Sequence, residues 1–332
     1  MRSTLLVGAL SALLALPASA FVFGPYKDVS LFVDATDHRI ASAVDGTRRL
    51  LPAADLLPPG ATLSWGFAIG ECGRETWLGV EADAFARANV PAFAAAKASY
   101  IVSTGGETGV FTCATEAGMT RFIQRYDSPM LRGFDFDIEG KQTPDQIDAL
   151  VRRVKAAQQR HPKLRWSFTL ATWAASDAGG ASLNPLGISV LAALKRHGLH
   201  DAVINLMVMN YGPASAANCV VRGNGAEGRC DMAASALQAA RNLNAKYGVP
   251  FGRIAITTML GVNDVAENVF TLTDAVTLAQ GARALGLAGL HHWSLDRDRS
   301  CAPAGNALSP TCHSLDGLQP LQFTRALAGP GH

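Results

Sequence analysis

The run Arg132-Gly-Phe-Asp-Phe-Asp-Ile-Glu139 decides how this chain is read. Successive side chains along a β-strand point to opposite faces. Asp135, Asp137 and Glu139 therefore share one face, and Phe134, Phe136 and Ile138 share the other. In a parallel sheet covered by helices neither face meets solvent. The apolar set can pack on helices, but three carboxylates on a buried face are costly unless they share protons or meet a ligand. Neighbouring like charges also raise one another's pKa. One of the three can then stay protonated near neutral pH and act as an acid, the usual device for glycosidic cleavage. Glu139, outermost and longest, is the candidate for that role.

Working outward from this run, short β-rich segments alternate with helical patterns. The expected strands are 29–33, 62–69, 99–103, 131–139, 165–171, 203–209, 253–259 and 289–294. Between them, Thr143 to Arg160 opens with Thr-Pro-Asp-Gln, a helix start with proline in the first turn, and carries Ile147, Leu150, Val151 and Val154 at helical spacing. Segments 185–196, 232–247, 274–285 and 318–327 read similarly, and 84–98 and 119–125 more weakly. Eight strands alternating with helices predict parallel βαβ units and an α/β (β/α)₈ TIM barrel. An open doubly wound sheet is the alternative, but no glycine-rich phosphate fingerprint follows the first strand. Active sites of such barrels sit at the C-terminal ends of the strands.

Composition narrows the function. The formal charge is +2, charged residues make up 17% of the chain, and no basic cluster stands out, so nucleic acid is an unexpected partner. Residues 1–20 read as a signal peptide. Arg2 precedes an apolar run, and Ala18-Ser19-Ala20 forms a small-residue cleavage site. The run is too short for a membrane anchor. The expectation is a secreted or periplasmic protein, monomeric and free of the membrane once cleaved, with residues 21–332 as one catalytic barrel. Cys72, Cys113, Cys219, Cys230, Cys301 and Cys312 all follow the cleavage site. An even count in an exported chain favours disulfides over zinc, because no pair has the two-residue ribbon spacing. Cys219–Cys230 and Cys301–Cys312 would close short loops and leave Cys72 with Cys113, though sequence does not fix the connectivity. His291 and His292 are adjacent on a strand and face opposite ways, so they cannot hold one metal together. No metal or cofactor is expected.

The strand-four run resembles the Asp-Gly-x-Asp-x-Asp-x-Glu signature of glycoside hydrolase family 18, departing from it at Arg132. Ser103-Thr-Gly-Gly106 is similar to that family's Ser-x-Gly-Gly after strand three, which singles out Gly105 and Gly106. Met207-Val-Met-Asn-Tyr211 is similar to its Met-x-Tyr motif after strand six. Trp293 resembles the tryptophan that floors the central sugar subsite. The likeness runs over the whole chain after the leader and is greatest to compact bacterial and archaeal chitinases. It implies a secreted chitinase that cuts β-1,4 N-acetylglucosamine linkages by substrate-assisted, retaining catalysis, an exception to the two-carboxylate scheme. Glu139 would protonate the leaving oxygen, Asp137 would orient the acetamide, Asp135 would support Asp137 through a shared proton, and Tyr211 would bond the acetamide carbonyl.

Met207, Met209, Asn210 and Trp293 are expected to line the cleft, with Trp65, Trp77 and Trp173 as weaker candidates. Asn210 stands where compact relatives carry an aspartate. The expected ligand is chitin or a chitooligosaccharide. The rival readings are an endo-β-N-acetylglucosaminidase acting on N-glycans, a chitin-binding lectin on a dead barrel, and a barrel with unrelated chemistry. The larger relatives insert an α+β lobe after strand seven. Here only Leu260 to Leu272 separate strand from helix, which predicts a lobe-free, shallow cleft and endo action.

Overall fold

Eight parallel strands close into a barrel, each paired with its neighbour in the chain and the last with the first. They are β1 (Val22–Asp28), β2 (Thr62–Ala68), β3 (Ser99–Gly105), β4 (Leu131–Ile138), β5 (Arg165–Ala171), β6 (Val203–Met207), β7 (Ile254–Met259) and β8 (Gly289–Trp293). The computed structural model describes residues 21–33, 36–223, 228–302 and 308–329; the expected leader at 1–20 lies outside them. The helices are α1 (Ala82–Ala95), α2 (Glu116–Tyr126), α3 (Pro144–Arg160), α4 (Pro185–Arg196), α5 (Met232–Tyr247), α6 (Leu272–Ala284) and α7 (Gln322–Ala328). Most begin on a side-chain cap. The Thr143 and Gln146 side chains form a reciprocal capping box on α3, and Asn184 and Asp231 cap α4 and α5.

The first strand corrects the sequence expectation. It lies at Val22–Asp28, not at 29–33. Gly24 and Pro25 argue against a strand in sequence, yet both pair with β8, opposite His291 and His292. A Cβ on Gly24 would stand 1.9 Å from the Thr62 carbonyl oxygen, so the strand contact itself needs glycine. Between β1 and β2 no helix occurs among the described residues. An Ala41–Ser42/Arg49–Leu50 hairpin takes its place, and Val29, Ile40, Val44, Leu51 and Leu56 cover the barrel there.

The core lies between the outer faces of the strands and the helices. On β4, Phe134 packs against Phe122 and Trp166, with ring centroids 4.9 and 5.4 Å away, and Phe136 packs on Phe168. Trp65 belongs to this layer and not to a cleft. It is fully buried, stacked on Tyr100 at 4.3 Å with the edge of Phe93 against it. Its neighbour Ser64 pairs with Tyr26 inside the barrel, so alternation sends the indole outward. Trp77 is likewise core, stacked on Phe85 and donating to the Tyr126 hydroxyl at 2.8 Å.

The loops that leave the C-terminal ends of the strands carry all six cysteines, joined in three disulfides. Cys72–Cys113 ties the loop after β2 to the loop after β3. Cys219–Cys230 and Cys301–Cys312 each close a stretch within one loop, after β6 and after β8. The loop after β7 folds back as a short hairpin, Gly261–Val262 against Val269–Phe270, and forms no lobe.

Candidate active site

Inside the barrel the side chains stand in layers. In the middle layer Asp135 is buried and accepts four hydroxyl hydrogen bonds. Tyr26 and Ser103 donate to Oδ2 at 3.0 and 2.7 Å, and Ser167 and Thr169 to Oδ1 at 2.7 and 2.8 Å. Asn205 extends the network, its amide donating to Tyr26, Thr169 and Thr257 at 3.0, 2.9 and 2.7 Å. Burial raises the Asp135 pKa, and the four hydroxyls oppose that rise. No hydrogen bond links Asp135 to Asp137. Asp135 meets hydroxyls where the sequence reading expected a proton shared with Asp137.

One layer higher the pattern reverses. Asp137 is 4% exposed, and its Oδ1 is buried with no hydrogen-bond partner. Its pKa is raised well above the ordinary value by burial, then by Glu139, then by Asp135. Glu139 follows the last residue of β4 and lines the same cavity. Its pKa is pushed up to about 7 by burial, with Glu107 and Asp264 adding to the effect. A carboxyl near 7 can give and take a proton at neutral pH.

The cavity measures about 710 Å³. Tyr26, Asp137, Glu139, Met207, Met209 and Trp293 stand in its wall, with Asn210 on the rim. Trp293 stacks on Phe67 with centroids 5.5 Å apart. Gly105 and Gly106 do not line it. Their role is clearance: both have positive φ, a Cβ on Gly105 would stand 2.0 Å from the Asp137 carbonyl oxygen, and one on Gly106 would meet the Phe67 ring at 2.8 Å. Tyr211 is buried at 3% exposure outside the lining set, and its hydroxyl has no partner. Trp173 is 40% exposed and also lies outside the cavity. His291 points inward to the Gly24 carbonyl at 3.2 Å, while His292 meets Thr324 on the outer face.

Sequence reasoning missed several neighbours. Tyr26 lay in the misread first strand. Thr169, Asn205 and Thr257 look like ordinary strand residues. Glu107 and Asp264 sit in loops, and only the fold places them beside Glu139. Asn210 orients Asp264: its amide donates to the Asp264 carboxylate at 2.9 Å, and its Oδ1 accepts the Val265 backbone N–H at 3.0 Å.

No protein-family model matches the chain. The catalytic domain of a hyperthermophilic chitinase from Pyrococcus furiosus superposes with a TM-score of 0.68 over 94% of this chain and 96% of that one, at 22% identity. The two chains share the closed (β/α)₈ barrel fold. Catalytic-site mutants of active domain 2 of the thermostable chitinase from the same organism, complexed with chito-oligosaccharides, superpose at 0.66 over 94% and 96%, with 21% identity. In sequence, the chain is 31% identical over 226 residues to a probable bifunctional chitinase/lysozyme of Escherichia coli, covering 65% of this chain and 24% of that protein. It is 30% identical over 213 residues to endochitinase 11 of Metarhizium anisopliae, covering 61% and 40%. The chain thus spans less than half the length of these chitinase relatives.

Proposed function

We propose that this chain is a chitinase of glycoside hydrolase family 18, hydrolysing β-1,4 linkages between N-acetylglucosamine units with retention of configuration. One observation carries the reading: the buried, unpartnered Asp137 oxygen beside a Glu139 whose pKa lies about 7, at the base of a cavity walled by Trp293. A buried acceptor without a donor fits a site that waits for a ligand N–H. The acetamide oxygen of the bound sugar attacks its own anomeric carbon. The glycosidic bond breaks as Glu139 passes its proton to the leaving oxygen. Asp137 then faces the N–H of the cationic oxazolinium. Glu139, now a base, takes a proton from water as that water opens the ring. Two inversions retain the β-anomer. Trp293 stacks under the sugar ring, and the Tyr211 hydroxyl is available to the acetamide carbonyl once the cavity is filled. The similarity to the two curated chitinases supports the reading.

We further propose endo action, because the short hairpin after β7 leaves one side of the groove open, and export, which the three disulfides and the sequence of residues 1–20 favour. The test is product analysis on soluble N-acetylglucosamine oligomers beside fully deacetylated chitosan and a high-mannose glycoprotein. Cleavage of the acetylated oligomers alone, first releasing the β-anomer, is the expected result. Efficient cleavage of the deacetylated polymer overturns the mechanism, and cleavage of the glycoprotein alone reassigns the substrate to N-glycans.

A further inference from the structure

Below the Asp135 network lies a charge that the reaction scheme leaves unused. Arg165 opens β5 and pairs with Gly133, two residues before Asp135 on β4. Its side chain shares the inward face with Ser167 and Thr169, the two β5 hydroxyls on Asp135. The guanidinium crosses the barrel floor to the base of β8, where Nη1 donates to the Ala288 carbonyl at 3.2 Å. Nε and Nη2 are buried and have no partner. A Cβ on Gly289 would stand 2.6 Å from the Val22 carbonyl oxygen, 3.1 Å from His291 Nε2 and 3.2 Å from Arg165 Nη2, so glycine there is needed first for the strand contact and also leaves the two side chains room. A buried guanidinium with one hydrogen bond is expensive. Its location suggests what offsets the cost.

Asp135 accepts from four hydroxyls, the pattern of a carboxylate and not of a carboxylic acid. Yet no cationic nitrogen lies within salt-bridge distance of it among the described residues. Tyr26 on β1 bonds it, Asp137 on β4 and Arg165 on β5 interact with it through charge, and His291 on β8 stands against Tyr26 and Arg165. Tyr26 is a neutral donor, its own pKa raised by burial and by Asp135. His291 is neutral, its pKa lowered to about 3 by burial and by Arg165. Asp137 is a second carboxyl, which burial and its acidic neighbours keep protonated. Arg165 is the one cation of the set. Burial lowers its pKa to about 10, with Asp135 and Tyr26 opposing, so it stays charged at neutral pH.

We propose that Arg165 is a positioning residue, the counter-cation at the barrel floor that keeps Asp135 ionised and so keeps the working proton on Asp137 and Glu139 above. The chain of influence is electrostatic. An anionic Asp135 makes Asp137 hold its proton more tightly, and Asp137 and Glu139 lose protons as a pair. Without Arg165, Asp135 itself takes up a proton, its charge no longer acts on the pair, and the pair's last proton leaves at lower pH. The inference rests on the chitinase reading for its kinetic readout but not for its stability readout.

The experiment compares wild type, Arg165→Lys and Arg165→Met on a soluble N-acetylglucosamine oligomer across pH, with thermal unfolding of each. Arg165→Met is expected to move the alkaline limb of kcat/KM down by about one pH unit, while Arg165→Lys keeps the wild-type limb. An Arg165→Met limb that stays in place or moves up, whatever the overall rate, makes Arg165 a packing residue and overturns the proposal. If Arg165→Met does not fold, the double variant Arg165→Met/Asp135→Asn should fold again, because neither charge remains. A double variant that stays unfolded while Asp135→Asn folds also overturns it. Absence of turnover by wild type defeats the chitinase reading alone, and the rescue of Arg165→Met by Asp135→Asn still tests the charge pairing.

Discussion

Asp135 and Asp137 are two residues apart on one face of one strand, and they meet opposite conditions. The middle layer of the barrel is closed: Asp135, Tyr26, Thr169, Asn205 and Thr257 bond to one another. The mouth is open: the Asp137 Oδ1 lines the cavity and is buried with nothing to bond, and the Tyr211 hydroxyl, outside the lining residues, is likewise buried without a partner. Buried polar groups are normally satisfied. The contrast separates a layer whose hydrogen bonds are completed on folding from one that a ligand would complete. Substitutions in the two layers should therefore fail in different ways.

The largest effect is expected at the mouth. Glu139→Gln should fold and still bind oligosaccharide while turnover drops by about 10³-fold, since the change removes the proton donor and little volume. Single-turnover assay beside oligosaccharide binding by calorimetry checks it, and more than a few per cent residual activity would remove Glu139 from the role. Next comes pH. In the proposed mechanism the acid form of Glu139 is the working form, so kcat/KM should fall as pH rises through about 7. The same shift has a stability sign. A carboxyl whose pKa is raised by folding is tolerated while protonated and costs stability as pH climbs from the ordinary carboxylate range to about 7. Wild type should lose Tm over that window, and Glu139→Gln should lose less. Equal losses would break the link.

A third pair sharpens the contrast directly. Asn205→Ala leaves Tyr26, Thr169 and Thr257 without a shared partner and should cost about 2 kcal/mol of stability. Tyr211→Phe removes a hydroxyl that has no partner in the protein and should leave Tm unchanged or raise it, while activity falls. Denaturant unfolding beside kcat separates them, and a matching loss of stability in both would erase the distinction between layers. The smallest effect is expected at the rim. Asp264→Asn removes an exposed negative neighbour of Glu139 and should lower the alkaline limb by about a few tenths of a pH unit, less at high salt.

The sequence made the mouth more legible than the layer beneath it. Alternation along β4 placed three carboxylates on one face, and the cap at Thr143 marked where α3 begins. The middle layer was hidden because Thr169, Asn205 and Thr257 are single polar residues scattered over three strands. Only barrel closure makes them neighbours. Val22–Asp28 was hidden by its glycine and proline, which look like breakers until the β8 register gives each a place. Trp65 misled in the opposite sense: an aromatic on a barrel strand suits a sugar platform, and one residue of parity sends it outward instead. Asp264 was unreadable because its partner Asn210 is 54 residues away in the chain.

The two local disulfides have a consequence for how such a chain can change. The Cα atoms of Cys219 and Cys230 lie 5.6 Å apart, and those of Cys301 and Cys312 lie 5.1 Å apart. Each bridge presents the barrel with a fixed pair of anchor points whatever sequence runs between them. Such stretches are free to act as cassettes, since loops tolerate change when their ends are held. Their length and composition can drift or be exchanged by recombination while the strands keep their register, so novelty at the rim of the groove is uncoupled from the inheritance of the scaffold.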